Sequence, residues 1–373
     1  MNLLSFAQVA NLITAVGDKR TVIVQGENGI GKTALFHHLK RTPHFANHIH
    51  VDPIDCTQLS DGSVWMPDID KVAGVSRELP NERFGMNKEN QKGINGSRPV
   101  LIFLDEIAKA RQYIKDVLAP IIYDRRVGNY HAPEGSVVFC ATNLGMEGLG
   151  DSIQAHLRNR LVVVTMRKQT SKEYVALATE LGMSEEIIAF CEEYPSLFHS
   201  FLDYEQGGVY AGKQQEKDAP FVFNPRIPQD AYASPRSLHA ASDIVKRKEF
   251  MDDATLQCAL EGTIGVATAE ALGSYIRFGR ENPSFDEVRA NPATARVAKS
   301  PVAQIVMAFK LILNVQDRDD AEAATEYVAR MRDEMQSLFC NTVANSTSKI
   351  TNFITVKPFQ DMLSRNKLYF SSK

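Results

Sequence analysis

The sequence has 373 residues, a formal net charge of -3 and a hydrophobic fraction of 44%. A chain of this length is expected to form two or three domains, and its apolar fraction is typical of a globular protein. The near-neutral charge excludes a global basic field for nucleic acid and the charge excess of a disordered chain, while leaving room for a local basic patch.

The first twenty residues have the apolar spacing of a short amphipathic helix. They lack the basic start and the small-residue cleavage site of a signal peptide. No run of about 18 apolar residues occurs in the sequence, so no membrane partner is expected. The five cysteines are scattered and form no CxxC pair, which indicates reduced thiols. These features predict a cytoplasmic protein.

Short apolar runs alternate with helical patterns over the first half of the sequence, which predicts a parallel sheet covered on both faces. The predicted strands are residues 21–24, 48–54, 100–104, 137–141 and 161–165. In such sheets ligands bind beyond the carboxyl ends of the strands. The residues that follow these runs are therefore the first candidates for a site.

The first predicted strand leads into a segment that fits the pattern G-x-x-x-x-G-K-[ST] without a mismatch. Glycines let the backbone curl so that N–H groups face phosphate oxygens, and the following helix adds the positive end of its dipole. Lys32 is expected to contact the β- and γ-phosphates of ATP, and Thr33 to ligate Mg²⁺. The predicted ATP-binding residues are Gly26, Glu27, Asn28, Gly29, Ile30, Gly31, Lys32 and Thr33.

A second acidic motif follows the predicted strand at residues 100–104. Asp105 is expected to hold Mg²⁺ through its water shell. Glu106 is expected to orient and deprotonate the attacking water. A strand followed by an acidic helix cap is the alternative interpretation, and the phosphate-binding pattern upstream favours the catalytic one.

From about residue 166 the pattern becomes mainly helical. Residues 203–233 are rich in Gly, Gln, Pro and Asp and are predicted to form a long loop or hairpin insertion. Residues 280–300 contain Pro and Asn and are predicted to be a linker. Residues 253–278 are predicted to be helical, and so is the remainder from residue 301 to residue 373.

Two further features allow more than one interpretation. Trp65 and Met66 lie between polar residues and could form a substrate-gripping pore loop or serve as packing anchors, of which packing is favoured. Five histidines cluster near residue 40, but neighbouring residues on a helix cannot face the same way, so packing and surface roles are expected rather than a metal site. These histidines are His37, His38, His44, His48 and His50.

The residues from 100 to 165 resemble the AAA+ superfamily and, within it, the MoxR-like branch. The segment Phe139-Cys140-Ala141-Thr142-Asn143 looks like the sensor 1 motif of that superfamily. The resemblance implies that Asn143 contacts the γ-phosphate or the attacking water. Residues 122–130 resemble the β-hairpin that precedes sensor 1, with Gly128 and Asn129 as its turn.

Three arginines complete the resemblance. Arg160, with Arg158 as the second candidate, resembles the arginine finger that reaches the ATP bound by a neighbouring subunit. Arg236, in the segment Ser234-Pro235-Arg236, is similar to the sensor 2 residue of the helical lid. A basic helix end would be the alternative for Arg160, and a surface arginine in a capped helix would be the alternative for Arg236.

The resemblance implies a P-loop NTPase α/β core over residues 1–165, a helical lid over 166–280 and a helical C-terminal segment over 281–373. It further implies a homo-oligomeric ring, expected to be a hexamer, that hydrolyses ATP with Mg²⁺. The task implied is remodelling or assembly of a protein client, often one with a von Willebrand factor A domain.

Two other functions share this site. A DNA-acting AAA+ protein, such as a helicase loader or a replication or packaging motor, would need a basic surface, which the net charge does not indicate. A nucleotide-gated scaffold with little hydrolysis would not need the Asp105–Glu106 pair. We therefore expect an ATPase that acts on a protein.

Overall fold

The computed structural model describes residues 3–60, 62–86, 98–144, 160–200, 221–223 and 229–366. Contacts divide the chain into two compact units, Met1–Lys168 and Gln169–Lys373. The first is an α/β unit around a parallel sheet, and the described part of the second is helical. The predicted α/β core followed by helical structure is confirmed.

The first unit begins with α1, whose N-terminus is closed by a capping box between Ser5 and Gln8. Its helices are α1 (Phe6–Val16), α2 (Lys32–Lys40) and α3 (Gln112–Asp124). Its strands are β1 (Val22–Gly26), β2 (Ile49–His50), β3 (Ile54–Asp55), β4 (Trp65–Asp70), β5 (Val75–Pro80), β6 (Val100–Asp105), β7 (Arg126–Val127), β8 (Tyr130–His131), β9 (Val137–Asn143) and β10 (Val162–Thr165).

Within the described residues, six strands form one parallel sheet. The order is β10-β1-β9-β6, and both β2 and β3 pair with the outer edge of β6. Strand β9 therefore lies between β1 and β6, and Asn143 at its end is in register with Gly26. The ends of β1 and β6 therefore lie on either side of Asn143. The first leads into the predicted ATP-binding residues and the second into the acidic pair.

The two faces of the sheet are buried by different elements. Alternate residues of β9 point to opposite faces. Cys140 packs in the cluster that contains the apolar face of α3, and Phe139 packs in the cluster that contains α1 and α2. The ring centroids of Phe139 and Phe103 are 4.6 Å apart. The strand ends are thus fixed by a core on each side.

Three predicted elements differ from the structure. The strand expected at 48–54 is split into β2 and β3, because Pro53 between them has no N–H for the ladder. The hairpin expected from residue 122 begins at Arg126, since α3 continues to Asp124. The helix expected over 253–278 is broken at Gly265, whose φ is 84°.

The hairpin formed by β4 and β5 was not predicted. Trp65 packs against the core of the first unit, whereas Met66 is 56% exposed. The hairpin docks on the turn between β7 and β8, because the backbone N–H of Glu78 donates to Asn129 Oδ1 at 2.7 Å and the Asn129 N–H donates to the Glu78 carbonyl at 3.2 Å. These two hydrogen bonds join the two hairpins to each other.

The second unit is built around two apolar clusters, one that includes α4 to α8 and one made by the C-terminal helices. Its helices are α4 (Ser171–Glu180), α5 (Glu185–Glu193), α6 (Pro235–Val245), α7 (Asp253–Ile264), α8 (Val266–Gly279), α9 (Phe285–Ala290), α10 (Pro301–Asn314), α11 (Arg318–Val328), α12 (Asp333–Asn345), α13 (Ile350–Phe353) and α14 (Lys357–Asn366).

The segment 280–300, predicted to be a linker, contains α9. A capping box between Ser284 and Glu287 begins this helix, and Val288 is fully buried in the C-terminal cluster. Most of the insertion expected at 203–233 lies outside the described residues. Among the helices that the structure describes, none combines the length and apolarity needed to cross a bilayer.

Candidate nucleotide site

The loop between β1 and α2, called the phosphate-binding loop after its predicted role, contains two glycines with left-handed backbone. Gly29 and Gly31 have φ of 73° and 95°, which residues with side chains rarely adopt. Lys32 opens α2, and its ammonium donates to the carbonyls of Gly26 and Glu27 at 2.9 and 2.8 Å. Lys32 is only 7% exposed, so these carbonyls replace water around a buried charge.

Thr33 and Asp105 meet beside this loop, because Thr33 Oγ1 donates to Asp105 Oδ2 at 2.8 Å. The other carboxylate oxygen accepts the backbone N–H of Glu106 at 3.0 Å. A hydroxyl and a carboxylate are oxygen ligands of the kind that Mg²⁺ prefers, so the pair fits that ion. Among the described residues no three His, Cys, Asp or Glu side chains group together as a metal site.

Asn143 connects Lys32 to the acidic motif. Its Oδ1 accepts from Lys32 Nζ at 2.7 Å, and its Nδ2 lies 3.1 and 3.2 Å from the two carboxylate oxygens of Glu106. Glu106 has a φ of 53°, one of two positive values among the described non-glycine residues. Lys32 and Glu106, which lie 111 and 37 positions from Asn143 in the sequence, therefore both contact the Asn143 side chain.

Two lysines that no sequence motif singled out form ion pairs with Glu106 and Glu27. Lys109 Nζ lies 3.0 Å from Glu106 Oε2. The feature of the sequence that could have indicated this contact is the spacing of three residues between Glu106 and Lys109. Lys168 Nζ lies 3.7 Å from Glu27 Oε2, with side chains only 3% and 8% exposed. No local pattern predicts the second pair, because its members are far apart in the sequence.

Replacing Lys168 with methionine is expected to lower the free energy of unfolding of the first unit by about 3 kcal/mol, because removing one member of a buried pair strands the other charge. Urea unfolding followed by fluorescence measures this change. The sequence has a single tryptophan, Trp65, and it packs in the first unit. The double variant Glu27→Gln/Lys168→Met removes both charges and should recover most of the loss. An unchanged midpoint in the single variant would contradict the prediction.

Arg160 lies at the opposite end of the sheet from the phosphate-binding loop. Arg160 precedes β10, whose first residue pairs with Val22 at the start of β1. The phosphate-binding loop follows Gly26 at the other end of β1. Four residues of strand separate these two ends by about 13 Å. Arg160 is exposed, and its guanidinium lies 5.6 Å from the ring centre of Tyr123. Arg160 is therefore directed away from the loop of its own chain, and Arg158 lies outside the described residues.

Arg236 belongs to the second unit. It is exposed in the first turn of α6, where Pro235 occupies the first position and the Ser234 hydroxyl accepts the backbone N–H of Ser237 at 3.1 Å. The predicted helix start is therefore present, and the predicted contact of Arg236 with a γ-phosphate stays a prediction.

Cys56 and Cys140, two buried thiols of the first unit, are poor candidates for covalent catalysis. Burial raises the pKa of the Cys140 thiol on β9 to about 12, and burial also raises the pKa of Cys56. Both thiols are therefore protonated at neutral pH and poor nucleophiles. Burial likewise raises the pKa of Tyr123 to about 12, so its ring remains neutral beside Arg160.

No family model matches the sequence, and no curated protein matches it significantly. Solved structures similar to this chain include a RuvB variant from Thermotoga maritima, with 14% identity, 72% of this chain and 68% of that chain covered, and a TM-score of 0.34. Another is NtrX from Brucella abortus in complex with ADP, with 14% identity, 98% and 67% covered, and a TM-score of 0.38. Likeness at these scores carries no function over to this chain.

Proposed function

We propose that the chain is a ring-forming AAA+ ATPase in which each active site is completed by a neighbouring subunit. The observation that carries the proposal is the position of Asn143, whose amide contacts both Lys32 and Glu106. A phosphate-binding lysine and a candidate base are thereby held at one edge of the sheet, next to the Thr33–Asp105 pair.

The proposed reaction is hydrolysis of the bond between the β- and γ-phosphates of ATP: water attacks the γ-phosphorus, and ADP leaves with the bridging oxygen. Lys32 and the backbone of its loop hold the phosphates, Glu106 accepts a proton from the attacking water, and Asn143 positions that water. Mg²⁺, when held by Thr33 and Asp105, would offset charge on the phosphate oxygens. No covalent intermediate with the protein is needed, since water is the nucleophile.

The proposal that Arg160 acts on a neighbour's ATP is supported by its place in the sheet. Arg160 is about 13 Å or more, along the strands, from the phosphate-binding loop of its own chain. The γ-phosphate on which it is proposed to act would therefore be bound by a second copy of the chain. A repeated head-to-tail contact forms a ring when its rotation closes and an open filament when it does not. We propose a closed ring, and specifically a hexamer. Arg236 is proposed to contact the γ-phosphate from the helical unit, as the sensor 2 residue.

The client is proposed to be a protein, as in the MoxR-like branch. The net charge of -3 offers no general attraction for nucleic acid. In addition, the β4–β5 hairpin exposes apolar side chains, including Ile69 at 69% and Val72 at its tip, which suit contact with a polypeptide. A partner with a von Willebrand factor A domain belongs to this proposal.

The test is phosphate release from Mg²⁺-ATP by the unmodified chain, measured over a wide range of protein concentration. Turnover per subunit should rise with concentration as the ring assembles. Turnover that stays constant well below the assembly range would favour a self-contained ATPase. Binding of ATP without phosphate release at any concentration would favour the scaffold instead.

A further inference from the structure

The carboxylate of Glu106 is engaged from two sides. The amide of Asn143 contacts both of its oxygens, and the ammonium of Lys109 lies 3.0 Å from Oε2. Lys109 reaches back to Glu106 because residues Ile107–Lys109 form a tight turn, in which the Lys109 backbone N–H donates to the Glu106 carbonyl at 3.0 Å.

The ion pair contributes little to the stability of the fold. Both side chains are about a quarter exposed, at 27% for Lys109 and 26% for Glu106. Pairs in such positions are weakened by solvent. The contact nevertheless involves the carboxylate that is proposed to accept a proton. We therefore expect the ion pair to affect the rate of ATP hydrolysis more than the stability of the fold.

A general base must present a lone pair to the water that it deprotonates. An ammonium close to Oε2 competes for lone pairs of the same carboxylate and stabilises its negative charge. Asn143 by itself contacts both oxygens and can orient the group. Removal of Lys109 would therefore free the base without removing the side chain that orients it.

We propose that Lys109 is a positioning residue that restrains Glu106, and that this ion pair must open before Glu106 accepts a proton. The inference rests on the ATPase function proposed above. In this proposal Lys109 controls the resting rate of ATP hydrolysis. Any change that moves the Lys109 ammonium away from Glu106 increases turnover.

The test compares Lys109→Met, which removes the cation at similar length, with Lys109→Arg, which keeps it. In the assembled protein, Lys109→Met should raise kcat about two- to fivefold, which corresponds to the free energy of a solvent-exposed ion pair. The KM for ATP should be unchanged, and Lys109→Arg should stay near the parent rate. Lys115→Met, a lysine on α3, is the matched control for loss of a positive charge.

A second pair of variants shows whether the effect passes through Glu106. The double variant Lys109→Met/Glu106→Gln should be as slow as Glu106→Gln alone. A kcat for Lys109→Met that equals or falls below the parent value overturns the inference, while the ATPase proposal stands. If Lys109→Met does not fold, Lys109→Gln takes its place. If the parent releases no phosphate, the ATPase proposal fails and the inference fails with it.

Discussion

Arg160→Ala is expected to lower ATP turnover per subunit by about 10³-fold, the lower end of the contribution of a trans-acting arginine. The affinity for ATP should change little, because Arg160 lies at the far end of the sheet from its own phosphate-binding loop. The loss should occur in kcat, since the guanidinium acts on charge that develops during phosphate transfer. Phosphate release and nucleotide binding, measured on the assembled protein, separate the two effects.

Arg20→Ala is the matched control, because Arg20 is also exposed and precedes β1 at the same end of the sheet. It should keep turnover close to that of the parent. Arg158→Ala should lose less activity than Arg160→Ala. If Arg158→Ala is inactive and Arg160→Ala is active, the finger is Arg158.

Glu106→Gln is expected to lower kcat by about 10²- to 10⁴-fold while ATP still binds, because the amide cannot accept the proton from water. The substitution keeps the size of the side chain and leaves one oxygen to accept from Asn143 Nδ2, which contacts both oxygens of the carboxylate. Nucleotide binding should therefore survive, since Lys32 and its loop are unchanged. Single-turnover phosphate release, together with equilibrium binding of ATP, measures both quantities.

Glu134→Gln serves as the control for loss of a negative charge, because Glu134 is an exposed residue in the turn before β9. It should hydrolyse ATP at the parent rate. A Glu106→Gln protein that retains full turnover would rule out Glu106 as the base. The assignment of Asn143 would then need revision too, because its amide contacts that carboxylate.

The parts of the site that are contiguous in the sequence were predictable. The phosphate-binding loop follows a β-branched run and opens a helix, so the sequence alone places Lys32 and Thr33 at the start of α2. Likewise, a buried run that ends in two acids identified β6 and Asp105. Local sequence encodes such features because strand, turn and helix propensities act over a few residues.

Contacts between distant segments were not predictable in the same way. The pairing of Lys168 with Glu27 depends on how β10 lies against β1, which no local pattern states. The β4–β5 hairpin was missed because its residues are largely exposed and carry no strong alternation of apolar and polar side chains. Helix α9 was missed because its short sequence lies between Pro- and Asn-containing turns, although Ser284 and Glu287 form a capping box.

The central claim is that each active site draws Arg160 from another subunit, and a mixing experiment tests it most directly. Arg160→Ala keeps the base but lacks the finger, and Glu106→Gln keeps the finger but lacks the base. Mixed in equal amounts and reassembled, these two inactive proteins should regain about one quarter of the parent turnover per subunit, because that fraction of head-to-tail interfaces combines both residues. If the mixed assembly stays inactive, Arg160 does not act between subunits and the shared active site proposed here is wrong.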